Sequence, residues 1–185
     1  MRLTPVDPAE ATGAVGQTLA ELTARGRELG PMVRGMANSS ALLRGYLDLS
    51  RAMKRSHLDR RVSERISLAV QEWLGCAFCL AAHTSAARAL GLEEREIELA
   101  RQGTATDPKV AAIVAFGQQV AAAPSEIGDA DLEALRAHGY RDEQIADVVG
   151  LVALNVLTGS FNLVAGIEPE AGQTRSPDGE MVAAR

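Results

Sequence analysis

The chain has 185 residues and a net charge of −5 without a basic block, so nucleic acid is not an expected partner. Hydrophobic residues make up 46% but aromatics only 3%, which predicts an aliphatic, alanine-rich core of closely packed helices in one domain. No 18-residue apolar run and no signal-peptide pattern stands out, so the expectation is a cytoplasmic protein that makes no use of a membrane.

In chain order, Asp7 before Pro8 predicts a capped helix from Pro8 to about Gly26. Gly30 and Pro31 mark a turn. Ser39 or Ser40 caps the next helix, which carries Leu42, Leu43, Tyr46, Leu47 and Leu49 to about Met53. After a polar connection, a helix from about Asp59 to Leu74 sets Val62, Ile66, Ala69, Val70 and Trp73 on one face. Gly75 breaks it, and an alanine-rich helix follows to near Gly91. Glu93 to Arg101 reads as a short charged helix, and Pro108 opens another that Pro124 stops. Asp129 to Asp131 cap a short helix to His138, and a long apolar helix, or a bent pair, runs from Asp142 to about Ala165. From Glu168 the composition turns to Gly, Pro and charge, as in a loosely held tail. No segment alternates as a strand does. The expected fold is therefore all-α, with a single helical domain over 1–167 and a polar C-terminal tail over 168–185.

The chemistry gathers between Glu64 and His83, a stretch holding both cysteines and the only tryptophan. Cys76, Cys79 and His83 stand at i, i+3 and i+7, on one face of a helix. Both cysteines fall in the first turn after Gly75, where open N–H groups and the helix dipole favour a thiolate. Residues at i and i+3 lie roughly 5–6 Å apart, which suits a reversible disulfide. His83 can move a proton near neutral pH. Glu64 would lie about 120° round a straight helix from Cys76, and a bend at Gly75 would swing it back over His83. Two cysteines at C-x-x-C spacing point to redox or metal chemistry rather than to a structural staple.

The pattern E-x11-C-x-x-C-x3-H, in an all-helical chain whose cysteine helix ends in Gly91-Leu92, resembles the AhpD-like alkylhydroperoxidase family of the carboxymuconolactone decarboxylase superfamily. The Leu29–Val33 and Asn38–Leu43 stretches, Gly139-Tyr140 and the run from Asn155 to Asn162 add weaker support. The resemblance implies an AhpD-like helical bundle and a thiol-dependent alkyl hydroperoxide reductase. It implies a peroxidatic Cys79, a resolving Cys76 that also passes a proton, and a His83–Glu64 proton relay. Phe78 stands where some members carry a histidine. The substrate would be an organic hydroperoxide and the reductant a lipoyl-bearing or thioredoxin-like protein. No cofactor beyond the Cys76–Cys79 disulfide is implied, and the assembly would be a homo-oligomer, a trimer or a multiple of trimers.

Other readings stand beside this one. Cys76, Cys79, His83 and perhaps Glu64 would also suit zinc. A disulfide exchanger without peroxidase activity, a non-catalytic helical assembly protein, and a superfamily enzyme acting on another small molecule remain open. Trp73 and Phe78 are expected to line the site, chiefly as packing residues. His57 and His138 read as exposed, Arg60, Arg61 and Arg65 as a solvated helix face, and Tyr46 and Tyr140 as core-edge residues. At an offset of 79 residues, Glu64, Cys76, Cys79 and His83 align with Glu143, Asn155, Thr158 and Asn162, a faint repeat that predicts two superposable helix hairpins.

Overall fold

Capping chemistry sets most of the boundaries in the computed structural model, which describes residues 1–24, 26 and 28–169 in full and 174–175 and 181–182 by backbone alone. The helices are α1 (Gly13–Thr23), α2 (Pro31–Met36), α3 (Ser40–Met53), α4 (Arg60–Leu74), α5 (Ala77–Ala89), α6 (Glu94–Arg101), α7 (Pro108–Ala122), α8 (Asp129–Ala137) and α9 (Asp142–Ala165). The Ser39 hydroxyl accepts the Leu42 N–H, the Asp59 carboxylate those of Arg61 and Val62, and Asp107 that of Lys109. The Asp131 carboxylate accepts the Gly128 N–H at the start of α8. The all-α expectation holds, with the helices from α3 to α8 close to their expected bounds.

Four expectations are corrected. Asp7 and Pro8 close only one turn, and the chain is re-aimed at Gly13, which takes φ +63° as the first residue of α1. The Gly30-Pro31 turn opens the short helix α2, with proline at its first position. Residues 142–165 form one unbroken helix, whereas the aligned 64–83 stretch is two helices split at Gly75, so the predicted repeat of helix hairpins is absent. α9 is also long and apolar enough to cross a membrane by length and composition, which the sequence reading missed because Asn155, Thr158, Ser160 and Asn162 interrupt the run. In the fold α9 packs against α3, α4, α5 and α7. Most of the polar tail lies outside the described residues. Within it, Thr174–Arg175 and Met181–Val182 pair as a two-residue antiparallel ladder.

α4 is the central element, in contact with α5, α6, α7 and α9. Its face of Ile66, Ala69 and Val70 meets Ile113, Val114 and Phe116 of α7 and Val148 and Val152 of α9. A fully buried Ile66 contributes about 1.5–3 kcal/mol. A second cluster joins Cys76, Phe78 and Cys79 to Ala165 and Ile167, with Met32 and Phe161 against it. The redox stretch is thus clamped between α4, the end of α9 and α2.

Candidate functional site

The site begins with the junction of α4 and α5. Gly75 takes φ +70°, its N–H bonds the Glu72 carbonyl, and the Cys76 N–H bonds that of Gln71. This double closure ends α4 and reverses the chain in two residues. Cys76 then occupies the N-cap of α5 and Cys79 its first turn. The reversal folds α5 back along α4 and brings His83 beside Glu64, with Nδ1 and Oε2 2.7 Å apart. The bend over Gly75 therefore does what the spacing alone could only suggest.

Cys76 and Cys79 are free thiols, 1% and 5% exposed. The Cys76 thiol is lowered to about 7, first by the hydrogen bond from the Cys79 thiol. The Cys79 N–H, Asn162 and the Phe78 N–H add to this, while burial opposes it. The pair accordingly carries one negative charge easily. Asn162 reaches across from α9 and donates Nδ2–H to Cys79 Sγ at 3.1 Å. Its Oδ1 is buried and has no partner among the described residues.

A cleft of about 470 Å³ opens onto this group. Cys79, His83, Glu64 and Phe78 line it, with Ser67, Asn155 and Asn162; Cys76 lies behind them. Asn155 Nδ2 donates to Ser67 Oγ at 3.0 Å, and Gln71 Nε2 donates to Asn155 Oδ1 at 2.9 Å. This fully buried polar ladder ties α9 to α4 along the cleft floor.

Of the residues singled out from sequence, Glu64, Cys76, Cys79, His83 and Phe78 converge. Trp73 does not: it is 46% exposed and lies outside the cleft. At that end of α4 the inward positions are Gln71 and Leu74, which approach α9 at Gly159. Trp73 sits roughly 100° round from Leu74 and faces away. Arg65 is also not solvated, since it pairs with Glu96 at 2.9 Å with both side chains largely covered. Arg61 donates to the Leu90 carbonyl, and Arg60 lines the cleft. His57 is exposed as expected and paired with Asp147. Among the described residues, no group of three or more His, Cys, Asp or Glu side chains has the geometry of a metal site.

Asn162 and Asn155 were visible in sequence only as part of a run that supports the family resemblance and as partners in the supposed repeat, with no role at the site assigned to either. The usable signal was two amides at i and i+7 in an otherwise apolar helix, which places both on one face.

A family model described as the carboxymuconolactone decarboxylase family matches residues 40–123. The uncharacterized protein YdfG of Bacillus subtilis (strain 168) is 30% identical over 110 residues, 57% of this chain and 74% of that protein. Among solved structures, the alkylhydroperoxidase AhpD core of an uncharacterized peroxidase-related protein from Ralstonia eutropha JMP134 is similar at TM-score 0.77 and 24% identity, covering 91% of this chain and 92% of that one. The apo debrominase Bmp8 is similar at TM-score 0.73 and 15% identity, with the same coverage of 91% and 92%.

Proposed function

The chain belongs to the carboxymuconolactone decarboxylase family and is AhpD-like in fold, and from that premise we propose that it is a thiol-dependent alkyl hydroperoxide reductase. One observation carries this: a buried Cys79 opens into a cleft beside a Glu64–His83 pair while a second thiol, Cys76, stands within hydrogen-bond reach behind it.

As Cys79 Sγ attacks the terminal oxygen of the hydroperoxide, the Cys76 thiolate takes its proton. An S–O bond forms and the O–O bond breaks. The departing alkoxide receives a proton from His83, whose Nδ1 is held by Glu64 and whose Nε2 is the other ring nitrogen. Asn162 Nδ2–H steadies the negative charge on Cys79, and its Oδ1, without a partner among the described residues, accepts the O–H of the hydroperoxide. Cys76 then attacks the Cys79 sulfenic acid; the S–S bond forms, hydroxide leaves and takes the Cys76 proton as water. The net change is one hydroperoxide and two thiols to an alcohol, water and a disulfide. A dithiol reductant, lipoyl-bearing or thioredoxin-like, restores the pair. No cofactor enters this cycle. The uncovered apolar residues of α9, Val149, Leu163 and Val164, are proposed to pack in a homo-oligomer.

The test is intact mass after a small excess of cumene hydroperoxide is mixed with reduced protein. The wild type loses two hydrogens, and Cys76→Ser accumulates a sulfenic acid on Cys79. Oxidation no faster than that of a free thiol removes the proposal, and sulfenic acid in Cys79→Ser instead reverses the two roles.

A further inference from the structure

Two methionines, Met32 and Met53, line the cleft, and they stand at different depths. Met53 Sδ lies against Gly150 of α9. Gly150 is roughly 18 Å of helix away from Asn162, the residue that touches Cys79. Met32 belongs to the inner end. It packs against the cluster of Cys76, Phe78, Cys79, Ala165 and Ile167. It is partly buried in the first turn of α2, where the whole run from Leu29 to Val33 lines the cleft. Met36, one turn further along α2, is 0% exposed, and Met1 is 47% exposed outside the cleft.

A thioether is a weaker nucleophile than a thiolate, so Met32 is spared while Cys79 is reduced. Each cycle also has an interval in which Cys79 is joined to Cys76. If the dithiol reductant is slow to arrive, a second hydroperoxide enters a cleft whose thiolate is spent. The groups that hold it, Asn162 and the Glu64–His83 pair, are not consumed by the first turnover. The next sulfur at that end is the Met32 thioether, on a side chain with three rotatable bonds. Oxidation there changes the wall. A sulfoxide oxygen needs a donor, and Phe78, Ala165 and Ile167 have none on their side chains. The oxygen must then turn into the cleft, where it takes substrate space, or push α2 off the cluster.

Resting on the peroxidase reading above, we propose that Met32 is a modification site: hydroperoxide arriving while Cys76 and Cys79 are joined oxidises it to the sulfoxide, and this turns the site down. The thioether sulfur attacks the terminal oxygen of the hydroperoxide. An S–O bond forms, the O–O bond breaks, and the proton of the transferred hydroxyl passes to the departing alkoxide. One thioether and one hydroperoxide become one sulfoxide and one alcohol; the sulfur loses two electrons and the O–O bond gains them. Methionine sulfoxide reductases reverse the change, so the site recovers.

The experiment converts the full chain to its disulfide with diamide, adds an excess of cumene hydroperoxide, and follows each methionine-bearing peptide by mass. Met32 is expected to gain one oxygen about tenfold faster than Met1, the reverse of their order of exposure. The dithiol is then restored with dithiothreitol, and single-turnover reduction of cumene hydroperoxide is timed. Treated wild type is expected to run about tenfold slower than its untreated sample. Met32→Leu conserves volume and, whatever its starting rate, is expected to keep that rate through the same treatment. Oxidation of Met32 no faster than Met1 overturns the inference. So does a full rate in protein whose Met32 is sulfoxide, or an equal loss in Met32→Leu. Each of these leaves the peroxidase reading standing when reduced Cys79 still outpaces a free thiol. If Cys79 does not, that reading falls and this inference with it.

Discussion

Asn162→Leu separates what this side chain does for the reaction from what it does for the fold. Asn162 is 1% exposed and donates to Cys79 Sγ at 3.1 Å. A hydrogen bond to an ionised partner contributes about 1.5–3 kcal/mol. At about 1.4 kcal/mol per factor of ten, its loss slows attack by Cys79 roughly ten- to hundredfold. The stability account runs the other way. The buried Oδ1 has no donor among the described residues, and such an orphan costs about 1–3 kcal/mol. Leucine has a similar volume and no polar atom, so removing the orphan offsets the lost bond to a neutral thiol. The expected change is within about 1 kcal/mol of wild type, or a small gain. Two assays are needed on reduced protein: urea unfolding at pH 6, below the Cys76 value of about 7, and stopped-flow oxidation by cumene hydroperoxide. A destabilisation above about 3 kcal/mol would mark Asn162 as a packing residue and refute the reasoning. An unchanged oxidation rate would do so equally.

The remaining predictions concern the same junction and its supports. Glu64→Gln keeps a hydrogen-bonding partner for His83 but removes the charge, so single-turnover reduction should slow by about tenfold or more; a variant as fast as wild type takes Glu64 out of the proton path. Ultraviolet titration of the reduced protein should show a thiolate with a midpoint of about 7 that is lost in Cys76→Ser, and a midpoint of about 7 retained in that variant would refute the assignment. Because folding lowers this thiol from 9.0 to about 7, the stability it adds is complete above the unfolded value and fades as pH falls through the folded one; unfolding measured across that window should show a rise with pH that Cys76→Ser lacks. Gly75→Ala has room for its methyl group but must hold φ +70°, at about 1–2 kcal/mol, and urea unfolding showing no loss would contradict the left-handed turn. Hydrogen bonds from Thr106 and then Arg65 hold the Glu96 carboxyl below its usual range, so its contribution is present above that range and lost on acidification. Glu96→Gln should therefore flatten the acid limb of the stability curve, and an unaltered limb would discount the pair.

Period and punctuation alone determined much of this protein. Ser39, Asp59, Gly75, Pro108 and Pro124 mark helix ends through local backbone chemistry, which needs no distant partner. The i, i+3, i+7 spacing of Cys76, Cys79 and His83 likewise commits them to one face of one helix wherever that helix packs. What lies across the interface was not legible. Glu64 reaches His83 only because Gly75 folds α5 back over α4, and Asn162 reaches Cys79 from 83 residues away. Trp73 fits the apolar stripe of α4 by period, yet the neighbouring helices leave it exposed. Arg65 looks solvated by type, yet α6 brings Glu96 onto it. Local sequence sets where a helix begins and which residues share its face, whereas burial and partnership depend on how the helices dock, a sum of long-range contacts that no short window contains.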